Sequence, residues 1–515
     1  MLIWQYSFML TRLQHIHPQP DMHELTQHTK TIHNLRALAQ KHLDYEIIEL
    51  SYLLEISHSL KHNIPSPNVD SLLSLGIDTL LALAAELSSK NPLRQNHKQL
   101  SLMRMLLHVL HLMRLGDGHA ALAKLKEHHQ LMDSVIGSDV KIWDKEGKFD
   151  LLICNGESKL WFEWFTQSEA FVFGYILSGA VYFSDSSEKT LNFFTEGIRV
   201  ADSTSPLLLG FELTVAILGK ETYDTKSWLS EVTTRRDRLL RLKRYSLLYS
   251  AFAALLRSQW DVVLRVTSQL HDCNEKYFSN TTTADDTAFM YLYKLLIAIR
   301  NHYTGQLGVA LQLYSDIPVQ AGETYLLALL NKSLILRGGS QQDQSKAIKC
   351  LDEVERRLFA SQHPYPQLRD ALYLLRGITS NEVLRSKFPP IPKMLLTCRE
   401  LLSHVIHSAA IHLNSRLRFM ALTITMARFY INTSTEHAEK LGLMAYIGAQ
   451  KSRDQLWQLV DGNLLAGLPL LSYVKTDVLE VYMKQDKHLK KARQDALNEE
   501  HRQAAAIPFN LPGTS

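Results

Sequence analysis

The stretch VLHLMRLGDGHAA, residues 109–121, decides the fold. An apolar run at helical spacing ends at Gly116, and a second begins just after it. Val109 stands seven positions before this glycine and Ala121 five positions after it. Small side chains at those two offsets let the helices of a hairpin cross closely, as in a tetratricopeptide unit. Three further turns overlay on this one: Asp185 with Ser178 and Thr190, Ser258 with Ala251 and Val263, and Gly305 with Ala298 and Ala310. The recurrence predicts an all-α chain, a tetratricopeptide-like solenoid of helical hairpins coiled into a superhelical array. Such arrays offer a groove to another protein and rarely carry catalytic machinery.

Composition agrees. Hydrophobic residues make up 46% of the 515 positions and charged residues 21%, enough to fill a continuous core. Gly (22) and Pro (15) are too scarce for an all-β or disordered chain. The 56 basic and 52 acidic residues leave +4, too little for a general electrostatic grip on nucleic acid. Cys154, Cys273, Cys350 and Cys398 lie far apart without a Cys-x-x-Cys pair, so they read as free thiols in a reducing compartment. The apolar start, residues 1–10, lacks a basic leader and is too short to span a bilayer. A soluble chain of the nucleus or cytosol is expected.

Along the sequence, residues 1–135 read as N-terminal helical repeats, with helices over 33–60, 71–88, 99–115 and 119–132. Residues 136–159 lose the helical period and read as an irregular loop with room for a small β-hairpin. Central repeats follow over 160–360, with helical spacing resuming at Phe162 and continuing to Ile198. Helices are then expected at 206–218, 225–242, 245–256, 260–270, 287–303, 306–314, 324–336 and 345–358. Gly305 and Gly339 are 34 positions apart, the tetratricopeptide period. Rigid breaks at Pro364 and Pro366, and at Pro389, Pro390 and Pro392, introduce C-terminal repeats over 361–503. Their helices fall at 393–412, 416–431, 435–452, 455–467 and 472–503, the last a charged capping helix. Residues 504–515 read as a disordered tail.

The chemical signals are weak. Gly116, Gly118 and Ala121 fit G-x-G-x-x-A, but a dinucleotide site needs a strand before the first glycine, and here a long helix-periodic run precedes it. His108 and His111, His128 and His129, and His404 and His407 are close in sequence among 23 histidines, yet none has the thiol or carboxylate company of a metal site. Arg235, Arg236, Arg238, Arg241, Lys243 and Arg244 form a dense basic run. It reads as a contact for nucleic acid or an acidic segment, or as a charged helix face, since Leu239, Leu240 and Leu242 interleave at core spacing. No phosphate-binding loop, nucleophile elbow, kinase set or cysteine-protease signature occurs. Catalytic, cofactor-binding and metal residues are therefore expected to be none, and no partner-binding residue can be singled out.

The block KLWFEWFTQSEAFVFGYILSG (159–179), followed by TEGIR (195–199), resembles the opening of the central repeats in the cohesin loading factor family. Residues 417–431, 438–452 and LWQL (456–459) are similar to that family's C-terminal hairpins. The resemblance implies a non-enzymatic nuclear protein, with a cytoplasmic pool also allowed. It would wrap the extended N-terminal segment of a large HEAT-repeat cohesin-loader subunit, reaching cohesin indirectly and chromatin through the complex. It implies no membrane, no cofactor and no small-molecule substrate. The competing readings are a helical-repeat scaffold of a ubiquitin-ligase or proteasome-lid type assembly, and an enzyme or transcription factor with repeats appended. A lid-type subunit should end in a winged helix, whereas helical spacing here runs to about Gln503. The enzyme or transcription factor needs a compact domain, for which residues 136–159 are too few.

Overall fold

The computed structural model describes residues 2–14, 22–62, 77–90, 98–136, 147–153, 157–183, 188–218, 223–278, 283–360, 366–383, 398–412, 414–430 and 434–467. Six helices come first: α1 (Leu2–Gln14), α2 (Met22–His42), α3 (Tyr45–His62), α4 (Ile77–Lys90), α5 (Lys98–Leu115) and α6 (Gly118–Ile136). A β-hairpin, β1 (Lys148–Ile153) and β2 (Ser158–Glu163), interrupts them. Then follow α7 (Gln167–Phe183), α8 (Glu188–Leu218), α9 (Tyr223–Leu256), α10 (Trp260–Phe278), α11 (Ala284–Tyr303) and α12 (Leu307–Ser315). The array continues with α13 (Glu323–Arg337), α14 (Gln341–Ala360), α15 (Pro366–Val383), α16 (Cys398–Ile411), α17 (Ser415–Thr425), α18 (Thr435–Lys451) and α19 (Gln455–Gly467). It is an all-α solenoid of helical hairpins.

The turns share one device. Gly116, Ser258 and Gly305 all adopt positive φ, between 56° and 84°. In each, that residue's N–H donates three positions back and the next N–H five positions back, as in Asp117 to Leu112, Gln259 to Ala254 and Gln306 to Asn301. This is the Schellman closure, which satisfies the last carbonyls of the outgoing helix. Val109, Ala121, Ala251, Val263, Ala298 and Ala310, at the two offsets expected to be small, are completely buried. The same closure occurs at Leu43 and Arg453, where no glycine marks it. Ser178 and Thr190 are buried as well, although the Asp185 turn lies outside the described residues.

Several boundaries differ from the sequence expectation. Residues 33–60 are two helices, because Leu43 takes φ 58° and the chain reverses there. Conversely, α8 runs unbroken through Pro206, since a proline removes one helical hydrogen bond without having to end the helix. α9 joins 225–242 to 245–256, for no glycine or proline separates Leu242 from Tyr245. α15 lies between the two proline breaks, where no helix was expected. Gly339 does not share the positive φ of Gly305, and the starts of α11 and α13 are 323 − 284 = 39 positions apart. A 3-10 turn at Val319–Ala321 supplies extra length. The helix expected over 472–503 and the tail lie outside the described residues.

Strands β1 and β2 pair antiparallel, with Leu151 opposite Leu160. Phe162 belongs to β2 and not to a helix: with Leu160 it alternates onto the buried face, beside Leu151 and Ile153. These four side chains join the core of α1–α5, and the Leu152 N–H donates to Glu46 of α3. The two strands are therefore a docked wall of the N-terminal unit, and residues 137–146 of the expected loop lie outside the described residues. Helix α7 starts later, at a capping box in which Thr166 Oγ1 accepts from the Glu169 N–H (3.3 Å) and Glu169 Oε2 from the Thr166 N–H (2.7 Å).

Candidate partner interface

Two layers emerge from which helices touch. Each odd-numbered helix from α3 to α17 packs on the next odd-numbered one, without a gap in the series. Even-numbered helices pack mainly on their odd neighbours, and no even pair packs comparably among the described residues. In a curved solenoid the layer whose helices meet is the one of smaller radius. The odd helices therefore line the concave side. Met290 on α11 and Leu334 on α13 are exposed apolar side chains of this layer.

The array also coils back on itself. His412, at the end of α16, places Nδ1 2.6 Å from the Gly116 carbonyl oxygen at the α5–α6 turn. Pro366, opening α15, packs so tightly on Gly116 that an added Cβ would collide with its Cγ. At the α17 start, Arg416 donates to the Leu256 carbonyl at the end of α9 (2.6 Å) and to the Tyr303 hydroxyl at the end of α11 (3.2 Å). It also pairs with buried Asp454 at the α18–α19 turn (3.4 Å). Burial raises the Asp454 carboxyl, while the Arg416 charge pulls it back. The turns of the early hairpins thus meet the opposite edge of the late ones along a seam.

The basic run on α9 is largely engaged within the fold. Arg238 Nε donates to Glu169 Oε1 (2.8 Å) and its guanidinium reaches Glu163 of β2 (3.4 Å). Arg241 forks onto both oxygens of Asp286 on α11 (3.0 and 3.2 Å), and Arg244 reaches the same carboxylate at 2.7 Å. Lys243 pairs with Asp202 of α8, and Arg236 with Asp237. The Arg244 guanidinium is 1% exposed and lies between the rings of Phe278 (3.9 Å) and Phe289 (4.0 Å). Burial alone would raise the Asp286 carboxyl, but the Thr283 hydroxyl, Arg244 and Arg241 hold it below the usual carboxylate range. Leu239 and Leu240 are buried between these charges. The run is a clamp joining β2, α7, α8 and α11 to α9, which accounts for its charge without nucleic acid.

The other signals are structural too. Gly116 and Gly118 follow helix α5, not a strand, and Asp117 Oδ1 accepts from the Ala120 N–H (2.9 Å) as the cap of α6. His128 is buried, and its desolvation together with the neighbouring His129 lowers its pKa to about 4. His129 Nε2 lies 2.9 Å from Ser178 Oγ on α7. Among the described residues, no three side chains of the metal-ligating types converge. None of the helices searched among those residues is long and apolar enough to cross a membrane.

Comparison with known proteins now decides the family. The family model described as "Cohesin loading factor" matches residues 1–471, which include all the described residues. The chain belongs to the cohesin loading factor family. The comparison with curated proteins found no match. Membership gives the chain a part in cohesin loading, with the cohesin loader and cohesin as the machinery it works with, and a chromatin-associated nuclear role. The family is one of loader subunits and is not a known enzyme family. The block at 159–179 that carries the resemblance is strand β2, the α7 cap and most of α7, where Trp164 packs on Phe165 and Phe165 on Phe173.

The small residues of the turns stand out in the sequence, and the seam does not. Nothing local marks His412 or Arg416, whose contacts lie 296 and 160 positions away.

Proposed function

We propose that the chain is a non-enzymatic scaffold that encloses the extended N-terminal segment of a large HEAT-repeat loader subunit. By holding that subunit it supports placement of cohesin on chromatin for sister-chromatid cohesion. The observation that carries this reading is the unbroken inner layer of odd helices, α3 to α17, bounded along its edge by the seam at Gly116 and His412. An enclosed concave surface suits an extended peptide, which can bury a large area over many small contacts and fold as it binds. The units 1–135, 160–360 and 361–503 then act as successive arcs of one wrapping surface.

Binding to the folded chain alone raises its apparent stability, by about 2.7 kcal/mol at a ligand concentration of 100 Kd. The test is thermal unfolding of the full chain with and without the recombinant N-terminal segment at saturation. A higher melting temperature with the segment supports enclosure. Equal temperatures count against it.

A further inference from the structure

Successive hairpins are joined by apolar clusters, such as the one spanning α9 to α13 and the one spanning α13 to α15. The seam differs in kind. Among the described residues, no apolar cluster joins the α5–α12 stretch directly to α15–α19. What crosses is polar: the His412 imidazole on the Gly116 carbonyl, and Arg416 on the Leu256 carbonyl and the Tyr303 hydroxyl. The Pro366 ring against Gly116 is the apolar contact at this place.

Opening such a joint exchanges protein hydrogen bonds for water and exposes little apolar surface, so it is far less costly than parting two stacked hairpins. All five of these groups can be solvated without breaking a helix, because they sit at helix ends. The concave layer behind the seam keeps its own packing when the seam parts, since each odd helix rests on the next.

A segment continuous with a large folded body can enter an enclosed channel only by its free end, or sideways through an opening. We propose that the seam, Gly116 and Pro366 against His412 with Arg416 beside them, is the gate of the array. It parts to admit the loader segment sideways and closes behind it. This inference rests on the proposed enclosure of that segment. In it, His412 is a latch whose bond to Gly116 slows both entry and release, while the residues that contact the segment lie elsewhere, on the odd helices.

The experiment follows association of a fluorescent recombinant N-terminal loader segment with the full chain by stopped flow. One protein carries His119→Cys and His412→Cys joined by a short cleavable bismaleimide, with His119→Cys alone treated identically as control. A second protein carries His412→Ala. Association at least tenfold slower in the joined protein, restored by cleaving the linker, is expected. His412→Ala should quicken association and dissociation together, leaving affinity nearly unchanged. Equal association rates before and after cleavage would overturn the gate and leave end-first entry. Failure of the unjoined chain to bind the segment would instead sink enclosure itself, and the gate with it.

Discussion

The imidazole Nδ1 of His412 lies 2.6 Å from the backbone carbonyl oxygen of Gly116, 296 positions earlier in the chain. Together with Pro366 on Gly116 and Arg416 on Leu256 and Tyr303, this contact ties the late hairpins to the early ones. Gly116 serves two purposes here: it takes the left-handed φ of 78° that ends α5, and it leaves room for Pro366.

Two glycine substitutions separate those purposes. Gly305 has φ 84° and open space around an added Cβ, so Gly305→Ala meets only backbone strain, roughly 1–2 kcal/mol. Gly116→Ala meets the same strain plus the collision with Pro366. It should destabilise by about 1–3 kcal/mol more, the usual range for overpacking. Urea unfolding of both variants measures the difference, and equal losses would show that Pro366 does not constrain the turn.

The fully buried Ala298 and Ala310 set how closely α11 and α12 cross. Ala298→Leu should cost about 1–3 kcal/mol and lower the unfolding midpoint without changing its steepness. Leu307→Ala, at an exposed position of α12, should stay within about 0.5 kcal/mol of the parent.

Arg244 and Asp286 form a buried pair closed by two aromatic rings. Arg244→Met removes one charged partner of a carboxylate that Arg241 and Thr283 still hold, and a loss of about 1.5–3 kcal/mol is expected. The folded-state pKa of Asp286 is depressed, so its contribution is present above the ordinary carboxylate range and fades as pH falls through the lowered value. Asp286→Asn should accordingly flatten the acid limb of the stability–pH curve.

Asp461 behaves in the opposite sense. It is fully buried on α19 and accepts a hydrogen bond from Thr423 (2.5 Å), and burial pushes its pKa up to about 7. Between the ordinary carboxylate pKa near ~4 and about 7 the folded chain holds a proton that the unfolded chain has released, so stability falls as pH rises. Asp461→Asn should remove that slope and be the more stable protein at pH 8, by on the order of 1 kcal/mol or more. Parallel curves for the two proteins between pH 4 and 8 would show that Asp461 ionises normally.

The fold was legible where local chemistry writes it. Val109 and Ala121 flank Gly116 at fixed offsets because two helices must cross there, and the same constraint reads at Ser258 and Gly305. It was not legible at Leu43, where Arg36 occupies the position a small residue fills elsewhere and pairs with Glu55, so the turn leaves no signature. Strand β2 hid for a related reason: Leu160, Phe162 and Trp164 alternate, but they run straight into the helix-periodic residues of α7. The basic run was ambiguous because its partners Glu169, Asp202 and Asp286 are distant in sequence, and only the folded chain brings them together. The seam is the extreme case, since no window of sequence contains both of its sides.

The most direct measurement is affinity purification of the tagged full chain from its own host, with mass spectrometry of what copurifies at equal stoichiometry. One very large HEAT-repeat protein is expected, with cohesin subunits at lower yield. Ubiquitin-ligase or proteasome subunits in its place would leave the solenoid standing and contradict the enclosure of a loader segment.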